Sequence, residues 1–114
     1  MSNTILKELK IATAVDPKDN SFDDEIQTWA YSVIGDLFQA GVPFSKFELS
    51  SEDTWESLIP GVKPEVLPSI KAYFIFSVRL KFDPPALKSS FSDLQQSKDE
   101  SFWRIIQGLE YDIN

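Results

Sequence analysis

Two adjacent prolines, Pro84 and Pro85, close the longest apolar-rich run of the chain, Ile70 to Phe82, and so end whatever element that run forms. Proline offers no N–H to a helix interior or to an inner strand. The run itself reads two ways. As a helix it carries Ile70, Phe74 and Val78 on one stripe and, counting from just upstream, Val66, Tyr73, Phe76 and Leu80 on a second. A helix apolar on two sides is covered within its own monomer or by a neighbouring subunit. As a strand it alternates Phe74, Phe76, Val78, Leu80 and Phe82 with Ser77, Arg79, Lys81 and Asp83 at period two. Local pattern alone favours the strand. A lone strand needs a partner, however, and only residues 44 to 49 offer one in a chain otherwise helical in pattern.

Thr4 is placed to cap a first helix from Ile5 to about Ala12, with Ile5, Leu6, Leu9 and Ala12 inward and Lys7, Glu8 and Lys10 near the other side. Asp16-Pro17 breaks it, and Pro17, Asp19 and Asn20 make a turn. Ser21 is the expected hydroxyl cap of a second helix, Phe22 to about Ala40, whose stripe is Phe22, Ile26, Trp29, Ala30, Val33, Ile34, Leu37 and Phe38. The trio Asp23, Asp24 and Glu25 suits the positive end of the helix dipole better than a metal, because consecutive helical residues point in different directions. Gly35 costs about 1 kcal/mol against Ala inside that helix, which close helix packing would explain, and Gly41 ends it.

Residues 41 to 51 form a loop carrying Phe44 and Phe47, with room for a short extended piece or hairpin tip. Ser51 is expected to cap a short acidic helix from Glu52 to about Leu58, before Pro60-Gly61 turns the chain. Pro64 suits the first position of the central helix, with irregularity near Glu65 because Pro68 falls in its first turn. A last helix is expected from about Ser90, with Phe91, Leu94, Phe102, Ile105 and Leu109 at helical spacing. Its middle, Gln95 to Ser101, is polar, which suggests a helix leaving the body of the monomer toward a second patch of Phe102, Trp103 and Ile106, with Gly108 as a point of fraying.

The 114 residues suffice for one domain with one modest core. Neither cysteine nor histidine occurs, which removes disulfides, thiol nucleophiles, most transition-metal sites and most acid–base chemistry near neutral pH. No Gly-rich phosphate loop, nucleophile elbow or metal-ligand spacing appears. Carboxylate pairs such as Asp53 with Glu56 and Glu52 with Glu56 read as a solvated acidic helix, so an enzyme, a cofactor and a metal are not expected. The first residues form neither a secretory signal nor a membrane span. A net charge of -7 disfavours general phosphate binding, but it is unevenly spread. Residues 48 to 62 carry Glu48, Glu52, Asp53 and Glu56 with no base, whereas residues 63 to 88 carry Lys63, Lys71, Arg79, Lys81 and Lys88 against Glu65 and Asp83. That polarity suits self-association or a charged partner, and two solvated faces of a monomer equally well. Arg79, Lys81 and Arg104 each adjoin apolar or aromatic residues, an arrangement better suited to contacts between subunits than to stacking on bases.

Four stretches, Ile5-Leu-Lys-Glu-Leu-Lys, Phe22-Asp-Asp-Glu-Ile, Pro64-Glu-Val-Leu-Pro-Ser-Ile-Lys-Ala-Tyr and Val78-Arg-Leu-Lys-Phe-Asp-Pro-Pro, resemble in this order the head-tail connector proteins of long-tailed phages of Gram-positive bacteria. Phe82-Asp83-Pro84-Pro85 is the most specific piece, and Glu100-Ser-Phe-Trp-Arg-Ile is similar to that family's Glu-x-x-Trp-Arg ending. The resemblance implies an all-α fold, a small bundle of four to five helices with a long central helix and an extended C-terminal helix. It also implies a single connector domain over residues 1–114 with a C-terminal arm from about residue 90.

Its further implication is a structural virion protein, the subunit of a ring of about twelve copies below the portal that completes the head after DNA packaging and extends the DNA channel. The implied partners are the portal protein, a tail-side stopper or tail-completion protein and other copies of the chain, with a monomeric free form compatible with the reading. Packaged DNA would pass through the lumen without specific binding, an acidic wall letting phosphate slide. No membrane is involved, and the expected location is the head-tail interface of the virion, reached from the host cytoplasm during assembly. Tyr73, Arg79, Lys81, Phe82 and Asp83 are the residues expected to position the central helix and contact a subunit. Phe102, Trp103 and Arg104 are those expected to meet the portal or a neighbour. Ordinary core is the competing role for Tyr73 and Phe82. The alternative function is a small acidic regulatory or inhibitory protein that binds a single cellular partner.

Overall fold

The run before the double proline is a helix. The computed structural model describes residues 4–13, 15–82 and 88–110. In chain order it holds α1 (Ile5–Ala12), α2 (Asp23–Gln39), α3 (Trp55–Leu58), α4 (Leu67–Phe82) and α5 (Lys88–Glu110), with no strand among the described residues. The all-α bundle implied by the resemblance is therefore the fold, and among the described residues no helix is long and apolar enough to cross a membrane.

The helical period wins in α4 because Ile70, Phe74 and Val78 stack on one stripe and are fully buried. Phe74 is the hub: Trp55 meets its ring edge-on at 5.2 Å between centroids and Phe44 at 6.5 Å. Pro68 displaces the start of α4. The Lys63 carbonyl accepts from the Val66 and Leu67 amides at 3.0 and 3.2 Å, Pro68 then has no N–H to give Pro64, and bonding resumes from Ser69 and Ile70 onto the Val66 carbonyl. Upstream, Gly61 at φ 81 follows Pro60 in a turn closed by Val62 N–H on the Ile59 carbonyl at 3.3 Å.

The C-terminal helix is long, as expected, but it starts at Lys88 and folds back antiparallel along α4 instead of leaving the body. Phe102 lies against Tyr73, with ring centroids 5.4 Å apart, and Gly108 meets Val66. Gly108 is thus a close approach inside a continuing helix, where fraying was expected. Leu94, Ser101 and Ile105 are buried along the seam. The polar middle fits because Ser101 is small and donates its hydroxyl to the Ser97 carbonyl at 3.0 Å, while the Lys98 ammonium sits 5.5 Å from the Tyr73 ring centroid.

At the start of α2, Ser21 does not act as the cap. Its hydroxyl and its amide both donate to Asp19 Oδ1, at 2.6 and 3.0 Å, which also holds the Asp19 carboxyl below the usual carboxylate range. Three acids in the first turn still match the dipole, and Asp23 pairs with Lys10 at 2.6 Å. Lys10, expected on the outer side of α1, is buried, and its ammonium also donates to the Pro17 carbonyl and to Asn20 Oδ1 at 3.3 and 3.1 Å. At the other end, Gly41 at φ 109 donates to the Phe38 carbonyl and buried Val42 to the Leu37 carbonyl, each at 3.0 Å, which satisfies the orphan carbonyls of the last turn. Phe22 and Phe38, placed on the inner stripe by spacing, are exposed. A β-carbon at Gly35 would meet no heavy atom within 4 Å, so the close packing expected there is absent.

Thr54, rather than Ser51, caps α3, in a reciprocal box with Ser57. Asp53 is consequently not on an exposed acidic helix. It is buried, accepts from the Ser50 amide at 2.7 Å and from Lys46 at 2.9 Å, and its carbonyl takes the first amide of α1, Ile5, at 2.9 Å. Burial acts to raise its pKa, but the Ser50 and Lys46 bonds outweigh that and hold it below the ordinary value. Trp55 Nε1 donates to Glu8 at 3.1 Å, and Thr4 Oγ1 caps α1 on the Lys7 amide at 3.3 Å as expected. The loop at 41–51 is tied down by Ser45, whose amide donates to the Leu58 carbonyl at 2.9 Å.

Candidate assembly surfaces

α2, α4 and α5 lie side by side, and because their facing residues are partly short and polar they leave a groove between them. Thr28, Ser32 and Asp36 line it from α2, Ser77 and Lys81 from α4, and Lys98 from α5, enclosing about 370 Å³. A second hollow of about 390 Å³ continues it past Tyr73 and Phe102, sharing Asp36 and Lys98. Tyr73 is nearly covered, and burial pushes its phenol pKa up, with Asp36 and Asp99 adding to the rise. Ser77 opposes that shift from one turn along α4, yet the two hydroxyls lack a well-formed hydrogen bond and Ser77 Oγ has no partner. Neither Lys81 nor Lys98 is ion-paired among the described residues.

A larger hollow of about 540 Å³ lies over Lys7, Lys10, Asp16 and Asn20. It holds no free valence at its buried cation, since Lys10 already gives its three donors to Asp23, Pro17 and Asn20. Among the described residues no cluster of three or more acidic side chains could hold a metal ion.

The residues singled out in the sequence therefore separate. Tyr73 and Phe102 come together across the α4–α5 seam, and Lys81 stands further along the same groove. Arg79 is half-buried on α4. Phe82 is the last residue of α4, and Asp83 lies outside the described residues. Trp103 and Arg104 face outward on α5, Trp103 60% exposed in a setting of Gln96, Asp99, Glu100 and Gln107. Such a lone large aromatic on a polar face is the residue type that anchors interfaces.

Sequence reasoning missed a second aromatic surface. Tyr31 and Phe38 on the outer side of α2 are exposed, Phe47 packs edge-on against Phe38 at 4.7 Å, and Gly35 leaves bare backbone between them. The only signal for it was that α2 carries more aromatic residues than one stripe accommodates. Ser77, Asp36 and Lys98 were missed as well, because each reads alone as ordinary surface. A further surface is acidic: Glu48, Glu52 and Glu56 are all exposed and none is ion-paired among the described residues.

Compared with known proteins, the chain matches one family model, described as phage connector protein, over residues 5–112. No curated protein and no solved structure matches it.

Proposed function

Because the chain belongs to the phage connector protein family and has a structural connector role, we propose that it is the subunit of a ring adaptor between the portal and the tail. The ring would assemble after packaging, complete the head and extend the DNA channel toward a tail-side stopper or tail-completion protein, the whole chain acting as one connector domain. The carrying observation is the family match, which spans nearly the entire chain.

A ring repeats one heterologous contact about an axis, so each subunit must offer two different surfaces. Support for that comes from aromatic groups exposed on separate helices, Trp103 on α5 and Tyr31 with Phe38 on α2, and from an acidic ridge on the same chain as two lysines with no ion pair among the described residues. In this reading Trp103, Arg104 and the rim of Phe102 meet the portal or a neighbour. Arg79, Lys81, Phe82 and Asp83 make the subunit contact, with Tyr73 setting the angle of α5 on α4. The channel wall is acidic and lets DNA slide, and assembly takes place in the host cytoplasm before the protein is part of the virion.

The test is the solution mass by light scattering over a concentration series, alone and with the purified portal ring. Uptake of a ring of copies onto the portal is expected. A fixed monomer or dimer indifferent to the portal would overturn the reading.

A further inference from the structure

Ser77 is 5% exposed and its hydroxyl makes no well-formed hydrogen bond among the described residues. Buried hydroxyls without partners are uncommon because each forfeits its hydration with nothing in return. This one lines a groove of about 370 Å³, more than ten times the about 30 Å³ that a water occupies. Lys81 and Lys98 line the same groove with no ion pair among the described residues, Lys98 resting on the Tyr73 ring, against the single carboxylate of Asp36. The groove thus holds two cations, one anion and one hydroxyl without a well-formed hydrogen bond, a set that one more carboxylate would complete.

The chain carries such carboxylates without an ion pair among the described residues, although Lys46 is nearby and already held by Asp53. Glu48, Glu52 and Glu56 stand exposed and unpaired in and just before α3, which is fastened to α1 through Asp53 with Ile5 and Trp55 with Glu8, whereas the groove is built from α2, α4 and α5. We propose that the groove between α2, α4 and α5 receives a glutamate of the Glu48–Glu56 ridge from a second copy of this chain. Lys81 and Lys98 provide charge and the Ser77 hydroxyl donates a hydrogen bond. The proposal rests on the ring reading and gives it a head-to-tail contact, ridge into groove, repeated around the axis. A phosphate is the poorer fit, since Asp36 in the groove and the net charge of -7 both oppose a more highly charged anion.

The test uses the full chain, half of it ¹⁵N-labelled, treated with a zero-length carbodiimide over a concentration series, with and without the portal ring, and read by mass spectrometry. Expected are mixed-isotope amide links from Lys81 or Lys98 to Glu48, Glu52 or Glu56. They should fall at least tenfold at about 1 M salt, where the screening length is about 3 Å. They should vanish in K81Q/K98Q, whose fold is checked by circular dichroism, and association lost in K81E/K98E should return when it is mixed with E52K/E56K. Mixed links confined to other residues would overturn the proposal and leave the ring reading standing. Links within one isotope only would place the pairing inside one chain and overturn it too. Protection of both lysines by added duplex DNA, with no protein link, would mark a phosphate site and overturn it. Absence of association under every condition would overturn the ring reading and this proposal together.

Discussion

A β-carbon at Gly108 would lie 2.7 Å from a Val66 methyl, so α5 meets the chain just before α4 at a point where only glycine fits. Gly108→Ala is expected to destabilise by about 1–3 kcal/mol, as overpacking does, with a lower urea midpoint. Val66 is β-branched, so moving its methyl clear needs a χ1 rotamer change that its stiffness disfavours, or a backbone shift. Val66→Ala in the same chain removes that methyl, and the double variant should recover part of the loss, a coupling that a double-mutant cycle measures.

Gly35 predicts the opposite sign. It lies inside α2 with nothing near its missing side chain, so Gly35→Ala gains helix propensity and meets no clash. An increase of about 0.5–1 kcal/mol is expected in the same unfolding assay.

These two glycines show where sequence reasoning stopped. The sequence suggests close packing at Gly35 and fraying at Gly108, the structure reverses the two, and only the position of the neighbouring element separates a required glycine from a tolerated one. Local chemistry was legible: Thr4 on the Lys7 amide, Gly41 with Val42 at the end of α2, and the Pro60-Gly61 turn depend on residues a few positions apart. Ser21 failed as a cap because Asp19, two residues upstream, holds its hydroxyl in a competing turn. Ser51 lost to Thr54 because Asp53 is drawn inward to the Ser50 amide and Lys46. The docking of α5 was hidden because Lys98 and Ser101 occupy seam positions, one through its ammonium against the Tyr73 ring, the other by being small. The groove was hidden for the same reason, since it joins polar residues of three helices that the sequence keeps far apart.

Trp103 should separate stability from assembly. With 60% of its surface exposed, Trp103→Ala is expected to change unfolding free energy by no more than about 0.5 kcal/mol. In the portal-uptake assay the same variant should bind at least about tenfold more weakly, as removal of an interface anchor does. Equal uptake by the variant would remove Trp103 from the contact.

Asp53 makes stability depend on acid. Its folded pKa lies below the value of about 3.9 for the unfolded chain, because the Ser50 amide and Lys46 favour the carboxylate more than burial opposes it. Its contribution is therefore complete above about pH 4 and is lost as pH falls through the folded value. Asp53→Asn should be less stable than the parent at neutral pH and should show a shallower loss below about pH 4, measured as urea midpoints across that range.

Tyr73 sets the alkaline side. Burial raises its pKa above the value of about 10 for an unfolded tyrosine, with Asp36 and Asp99 adding to the rise and Ser77 partly offsetting it. A raised folded pKa means that the proton is held more tightly in the native state. The corresponding stability is complete below about pH 10 and is lost as pH rises through the folded value. A late phenolate absorbance step is expected in the native chain, accompanied by a falling urea midpoint. Tyr73→Phe should abolish the step and flatten the fall, while its ring keeps the contact with Phe102. Ionisation would place a new anion beside Asp36 and Asp99 on the α4–α5 seam, so α5 should loosen first, and amide exchange along residues 98–106 should rise before exchange in α2.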